Sequence, residues 1–198
     1  MSAIPPALPS MPSPDSGGDK ISMTAIFSGL QSSFYAETQK GVPMTQALDS
    51  EVAALGNLVN ASGNQQLANT YNSSFLPAYN AFRNDPNQTT FNQYLSPVFT
   101  EMEGSGASIS PKALNNFINQ TLSTAANDVF SGNDQGAYGA LLVAQNVIDQ
   151  SGAYSTATCG DINQIVNNDF APLRAGGGVN EQQALGDINT LIYQFPLQ

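Results

Sequence analysis

From about Asp19 onward, apolar residues recur at the spacing of a helical face. Ile26, Leu30 and Phe34 fall at i, i+4 and i+8, with Met23 and Phe27 beside them. Gly41-Val42-Pro43 is expected to end this first helix, with Pro43 suited to the first turn of the next. Leu48, Val52, Leu55 and Val59 form the second stripe, and Gly63 is placed for a left-handed cap. The third stripe is Leu67, Tyr71, Phe75, Tyr79 and Phe82, and Pro77 inside it predicts a kink or break. After a turn at Asn84-Asp85-Pro86, residues Phe91, Tyr94, Leu95, Val98, Phe99 and Met102 repeat the pattern, again with a proline inside, Pro97.

Ser110-Pro111 has the order N-cap, then first helical residue. Leu114, Phe117, Ile118, Leu122, Ala125 and Val129 follow on one face, and Ser131-Gly132-Asn133-Asp134 ends it. Leu141, Leu142, Val143, Val147 and Ile148 are apolar over a wider arc, which predicts a central helix, stopped by Ser151-Gly152. Residues 153–158 suggest a short extended piece; alternation of the strand type is otherwise almost absent. The pattern predicts an all-α fold: a bundle of about seven or eight short to medium antiparallel helices. Residues 20–198 are expected to form one helical domain, preceded by a Pro/Ser/Gly-rich flexible arm over 1–19.

The motif Gly-Asp-Ile-Asn occurs twice, at 160–163 and 186–189, on either side of Ala175-Gly176-Gly177-Gly178. A calcium loop needs oxygen ligands at its first, third and fifth positions and glycine at the sixth. Counted from Asp161, Asn163 fits, but Ile165 and Val166 stand at the fifth and sixth positions. Counted from Asp187, Asn189 fits and Leu191 fails at the fifth. The alternative is two helix starts, with Gly ending the preceding segment, Asp as N-cap and, in the first copy, Gln164 completing a capping box.

Composition narrows the chemistry. Only 10% of residues are charged, five basic and fifteen acidic, for a net charge of −10. The basic residues Lys20, Lys40, Arg83, Lys112 and Arg174 are scattered, so no patch is expected to bind nucleic acid or an anionic membrane surface. No run of apolar residues is long enough for membrane insertion. There is no histidine, which removes Ser-His-Asp and Cys-His catalysis. The lysines lie in no S-x-x-K pattern, and no phosphate-binding glycine loop is present. Glu101/Glu103 and Asp49/Glu51 are spaced i, i+2 and point to different helix faces. Cys159 has no basic neighbour in sequence to activate it. The expectation is a non-enzymatic chain with no catalytic residue, cofactor or metal site.

The aromatic stripes read most simply as core. Their alternative is an assembly or partner face built from Tyr71, Phe75, Tyr79, Phe82, Phe91, Tyr94 and Phe99, since interfaces are poor in charge and rich in aromatics. With the amide-rich, charge-poor composition this gives the functional expectation: a structural subunit of an exported or extracellular helical assembly (filament, appendage or virion component), partnered by itself. The alternative is a soluble secreted binding module or effector docking a protein partner. The N-terminal segment lacks the basic and apolar regions of a Sec-type signal, so export or surface display by another route is expected, with a cytoplasmic or virion location as the alternative.

Overall fold

The computed structural model describes residues 20–39 and 45–195. The expected arm over 1–19 and the break at Gly41-Val42-Pro43 lie outside these residues. Among the described residues the chain forms nine helices and one two-stranded ribbon. The helices are α1 (Thr24–Gln39), α2 (Thr45–Ala61), α3 (65–83), α4 (88–103), α5 (Pro111–Phe130), α6 (Asp134–Ser151), α7 (Thr156–Gln164, running on into a π turn, Ile165–Asp169), α8 (Ala171–Arg174) and α9 (Glu181–Ile192). The fold is an all-α bundle. The two strands, β1 (Ile21–Ser22) and β2 (Ser108–Ile109), pair antiparallel, Ile21 opposite Ile109, and tie the entry of α1 to the entry of α5.

Helix α6 is the axis of the bundle. It packs against α1, α2, α5 and α7, and its apolar side chains from Ala137 to Ala144, with Val147 and Ile148, are buried. The wide apolar arc read in the sequence is this central position. Helix α1 packs on α6 and α4, and α9 packs on α5, so neighbours in space are not always neighbours in sequence. The buried apolar residues form one contiguous core from Met23 to Phe195.

Helices α3 and α4 repeat one design. Each contains a π turn, Tyr71–Phe75 in α3 and Phe91–Leu95 in α4, where the Leu76 N–H bonds the Tyr71 carbonyl and the Ser96 N–H bonds the Phe91 carbonyl. Each π turn is followed at once by a proline, Pro77 or Pro97, near the start of the next α-helical stretch. Apolar side chains at Leu67, Tyr71, Phe75 and Tyr79 are spaced by four, as are those at Phe91, Leu95 and Phe99. At 3.6 residues per turn, each step of four drifts by about 40° around an α-helix. A π turn holds more residues per turn and cancels that drift, so the stripe stays on the core. It also carries the proline ring past the carbonyl it would meet in a regular helix interior. The helix continues through the proline, where the sequence predicts a kink or break.

The caps follow local chemistry. The Asn64 side chain accepts the Leu67 N–H at 2.9 Å, Asn87 forms a capping box with Thr90, and Ser110 accepts the Ala113 N–H at 3.2 Å. Gly63 and Gly152 take the left-handed conformation, both at φ 64°, behind α2 and α6. Residues 153–158 are not an extended piece: α7 begins at Thr156, capped by Ser155, whose hydroxyl accepts the Thr158 N–H at 3.2 Å. No helix among the described residues is long and apolar enough to cross a membrane.

Candidate functional site

The seven aromatics of the expected face go chiefly to the core. Phe75, Phe82 and Phe99 are completely buried, Phe91, Tyr79 and Tyr71 nearly so, and only Tyr94 is half-buried. Phe34 of α1 packs edge-on against Phe75, Tyr79 and Phe99, with ring centroids 5.5–6.4 Å apart, and Phe75 meets Phe99 at 5.3 Å. The Tyr71 hydroxyl donates to the Val52 carbonyl at 2.9 Å and the Tyr79 hydroxyl to Asp49 Oδ1 at 2.6 Å. Burial first, and then the Asp49 bond, raise the Tyr79 hydroxyl well above the ordinary tyrosine range. These rings hold α3 and α4 to α1; they do not form an exposed face, and that alternative is corrected.

A polar cluster in the interior was missed by the sequence reading. Glu37 of α1 and Glu51 of α2 are both buried. Ser33 donates to Glu51 Oε1 at 3.1 Å, and the Tyr138 hydroxyl of α6 donates to Glu37 Oε1 at 3.4 Å. The Arg174 guanidinium lies 5.4 Å from the centre of the Tyr138 ring, and Phe170 stacks on that ring at 6.1 Å. Burial and the Glu37 charge push the Tyr138 hydroxyl up to about 12, against the opposing pull of Arg174. The signal was available: Glu51 stands beside Val52 on the stripe of α2, and Glu37 continues the Leu30–Phe34 stripe of α1. A carboxylate in an apolar register is buried by its helix and must be matched there. This cluster joins α1, α2, α6 and α8 through polar contacts.

The two Gly-Asp-Ile-Asn segments do meet, but not as helix starts. The N-caps are Ser155 and Asn180, so both segments lie inside α7 and α9, and the capping assignment of Asp161 and Asp187 is corrected. Ile162 and Ile188 are fully buried, while Asp161 and Asp187 line one small cleft of about 120 Å³ together with Gln164, Thr190 and Gln194. Gln194 donates to Asp161 Oδ2 at 2.8 Å and accepts from Thr158 at 3.0 Å. A second groove of about 130 Å³ runs between α2 and α5 over Ala140, lined by Ser50, Ala53, Asn57, Phe117, Thr121 and Thr124 among others.

Cys159 is half-buried, and its thiol is raised by burial and then by a hydrogen bond with Asp149, which disfavours the reactive thiolate. Among the described residues no group of three or more Cys, Asp or Glu side chains is arranged to hold a metal ion. Fold and sites together define a charge-poor all-α bundle with polar clusters tying its helices. Comparison of the chain with protein-family models, with curated proteins and with solved structures gives no match.

Proposed function

We propose that the protein is a non-enzymatic structural subunit of an exported or extracellular helical assembly, working through contacts with copies of itself. The observation that carries this reading is the exposure of two large apolar side chains, Phe130 at 80% and Tyr193 at 83%. Phe130 is the last residue of α5 and Tyr193 the first after α9, two helices that pack on one another and run antiparallel. Asn119 of α5 bonds the Phe195 carbonyl just past α9, and Asp134, just past α5, accepts the Val179 N–H ahead of α9. Phe130 therefore lies toward the start of α9 and Tyr193 just past its end, so the two exposed rings flank the stretch over which α9 packs on α5. Only 10% of the chain's residues are charged, so its polarity rests mainly on amides and hydroxyls, which are cheaper to desolvate than ions.

The test is size-exclusion chromatography with light scattering, and negative-stain microscopy, over a wide range of concentration and salt. The expected result is concentration-dependent oligomers or filaments that Phe130→Ser with Tyr193→Ser reduces to monomers. A wild-type chain that stays monomeric throughout removes the assembly reading. The second reading, a secreted helical module docking one protein partner, draws on the α2–α5 groove, whose small side chains leave room for a ridge of another helix.

A further inference from the structure

The joint between α7 and α9 contains two carboxyl groups in contact. Asp169 closes the π turn that follows α7 and is only 6% exposed. Its Oδ1 accepts from Gln183 Nε2 on α9 at 2.9 Å. Its Oδ2 is buried and receives no hydrogen bond from a donor. One turn further along α9, Asp187 stands on the same helix face as Gln183, which carries its carboxyl toward that of Asp169 and makes its charge act there. Two ionised carboxylates are acceptors only, so this contact is favourable only with a positive charge or a proton between them.

The charged and titratable neighbours do not supply that charge. On α8, Arg174 donates to the Val166 carbonyl at 3.0 Å and to Asn167 Oδ1 at 3.1 Å, and its guanidinium lies over Tyr138. On α7, Asp161 is held by Gln194. On α6, Tyr138 donates to Glu37, and Asp134 accepts the Val179 N–H. We infer that Asp169 and Asp187 share one proton, and that this proton clamps the π turn of α7 onto α9, so that the joint tightens as the solution is acidified.

Burial, and after it the Asp187 charge, raise the Asp169 carboxyl above its ordinary value of 3.8. A carboxyl raised in the folded state contributes stability in full below the unfolded value and loses it as pH rises through the folded value. The clamp is therefore at full strength below the ordinary aspartate value and weakens as pH rises above it.

The test compares thermal melting of the full chain from about pH 4.5 to 7.5 with Asp169→Asn, Asp187→Asn and Asp161→Asn, alongside carboxyl carbon NMR titration of the wild type. An asparagine at 169 or 187 supplies the missing N–H permanently. Either variant is expected to melt about 2–4 °C above wild type at pH 7.5, with the advantage disappearing in acid. Asp161→Asn is expected to keep the wild-type pH profile, and Asp169 to titrate above the ordinary aspartate range. Three results would overturn the inference. One is a wild-type pH slope unchanged in both asparagine variants, or lower melting of both at pH 7.5. Another is an Asp169 titration at the ordinary value. The third is a calcium- or sodium-dependent rise in wild-type melting at pH 7.5 that Asp169→Asn abolishes, which would put a metal ion in place of the proton.

Discussion

Gly139 sits where α6 crosses the first turn of α2. A Cβ there would lie 2.0 Å from the Ala47 carbonyl oxygen, and both atoms belong to helix backbones that cannot swing aside. Gly139→Ala is expected to force the two helices apart and to lower stability by about 1–3 kcal/mol. Gly160 offers the contrast, because an added methyl meets nothing within 4 Å. Gly160→Ala is expected to raise stability by about 0.5–1 kcal/mol through helix propensity alone. Urea melts of the two variants check both signs. The same contrast explains the misplaced helix starts. In the sequence, Gly160 and Gly186 look like stops, yet a mid-helix glycine costs only about 1 kcal/mol, less than the burial of Ile162 or Ile188 returns. The true caps, Ser155 and Asn180, were visible as residue types, but the apolar face ahead of Ile162 is too weak to show how far the helix extends.

At the scale of the element, the legible feature was the stripe and the illegible one was the π turn. A signal for it existed: unbroken spacing by four, as at Thr158, Ile162, Val166 and Phe170, cannot stay on one side of an ordinary helix for long. That run passes through the third π turn, where the Phe170 N–H bonds the Ile165 carbonyl at 3.3 Å, and Pro172 follows. Helix α3 allows a direct test of the link between π turn and proline. Removing Ser73, an exposed residue of the π turn, would leave Leu67, Tyr71, Phe75, Tyr79 and Phe82 spaced by four, three, four and three, a regular helical stripe. It would also place Pro77 in the interior of an ordinary α-helix, at a cost of about 3 kcal/mol. The deletion alone is expected to destabilise by about that amount, and Pro77→Ala added to it to recover most of the loss. Chemical denaturation of the single and double variants decides it; no recovery in the double variant would mean that the π turn serves the local packing and not the proline.

The whole molecule was read correctly as an all-α bundle because helical periodicity is a local property, repeated in every segment. The Glu37–Glu51–Tyr138 cluster and the Asp169–Asp187 contact were not read, because each joins side chains from different helices, and spacing along the chain says nothing about which helix faces meet. Charge is the property of the whole molecule that needs no contact map. With fifteen acidic against five basic residues, the folded chain gathers a net charge of −10 into a small volume. The Arg83–Asp49 salt bridge, at 2.6 Å, is partly exposed at both ends, and such pairs contribute at most about 1 kcal/mol. Repulsion among the remaining carboxylates is spread over longer distances, where screening acts most strongly. Raising sodium chloride from about 10 mM to about 100 mM shortens the screening length from about 30 Å to about 10 Å. The melting temperature at neutral pH is therefore expected to rise over this range, because the compact state suffers more from self-repulsion than the unfolded chain does. A fall would mean that attractive pairs outweigh the excess of negative charge. The same rise should weaken near pH 4.1, where the net charge approaches zero and little repulsion remains to be screened.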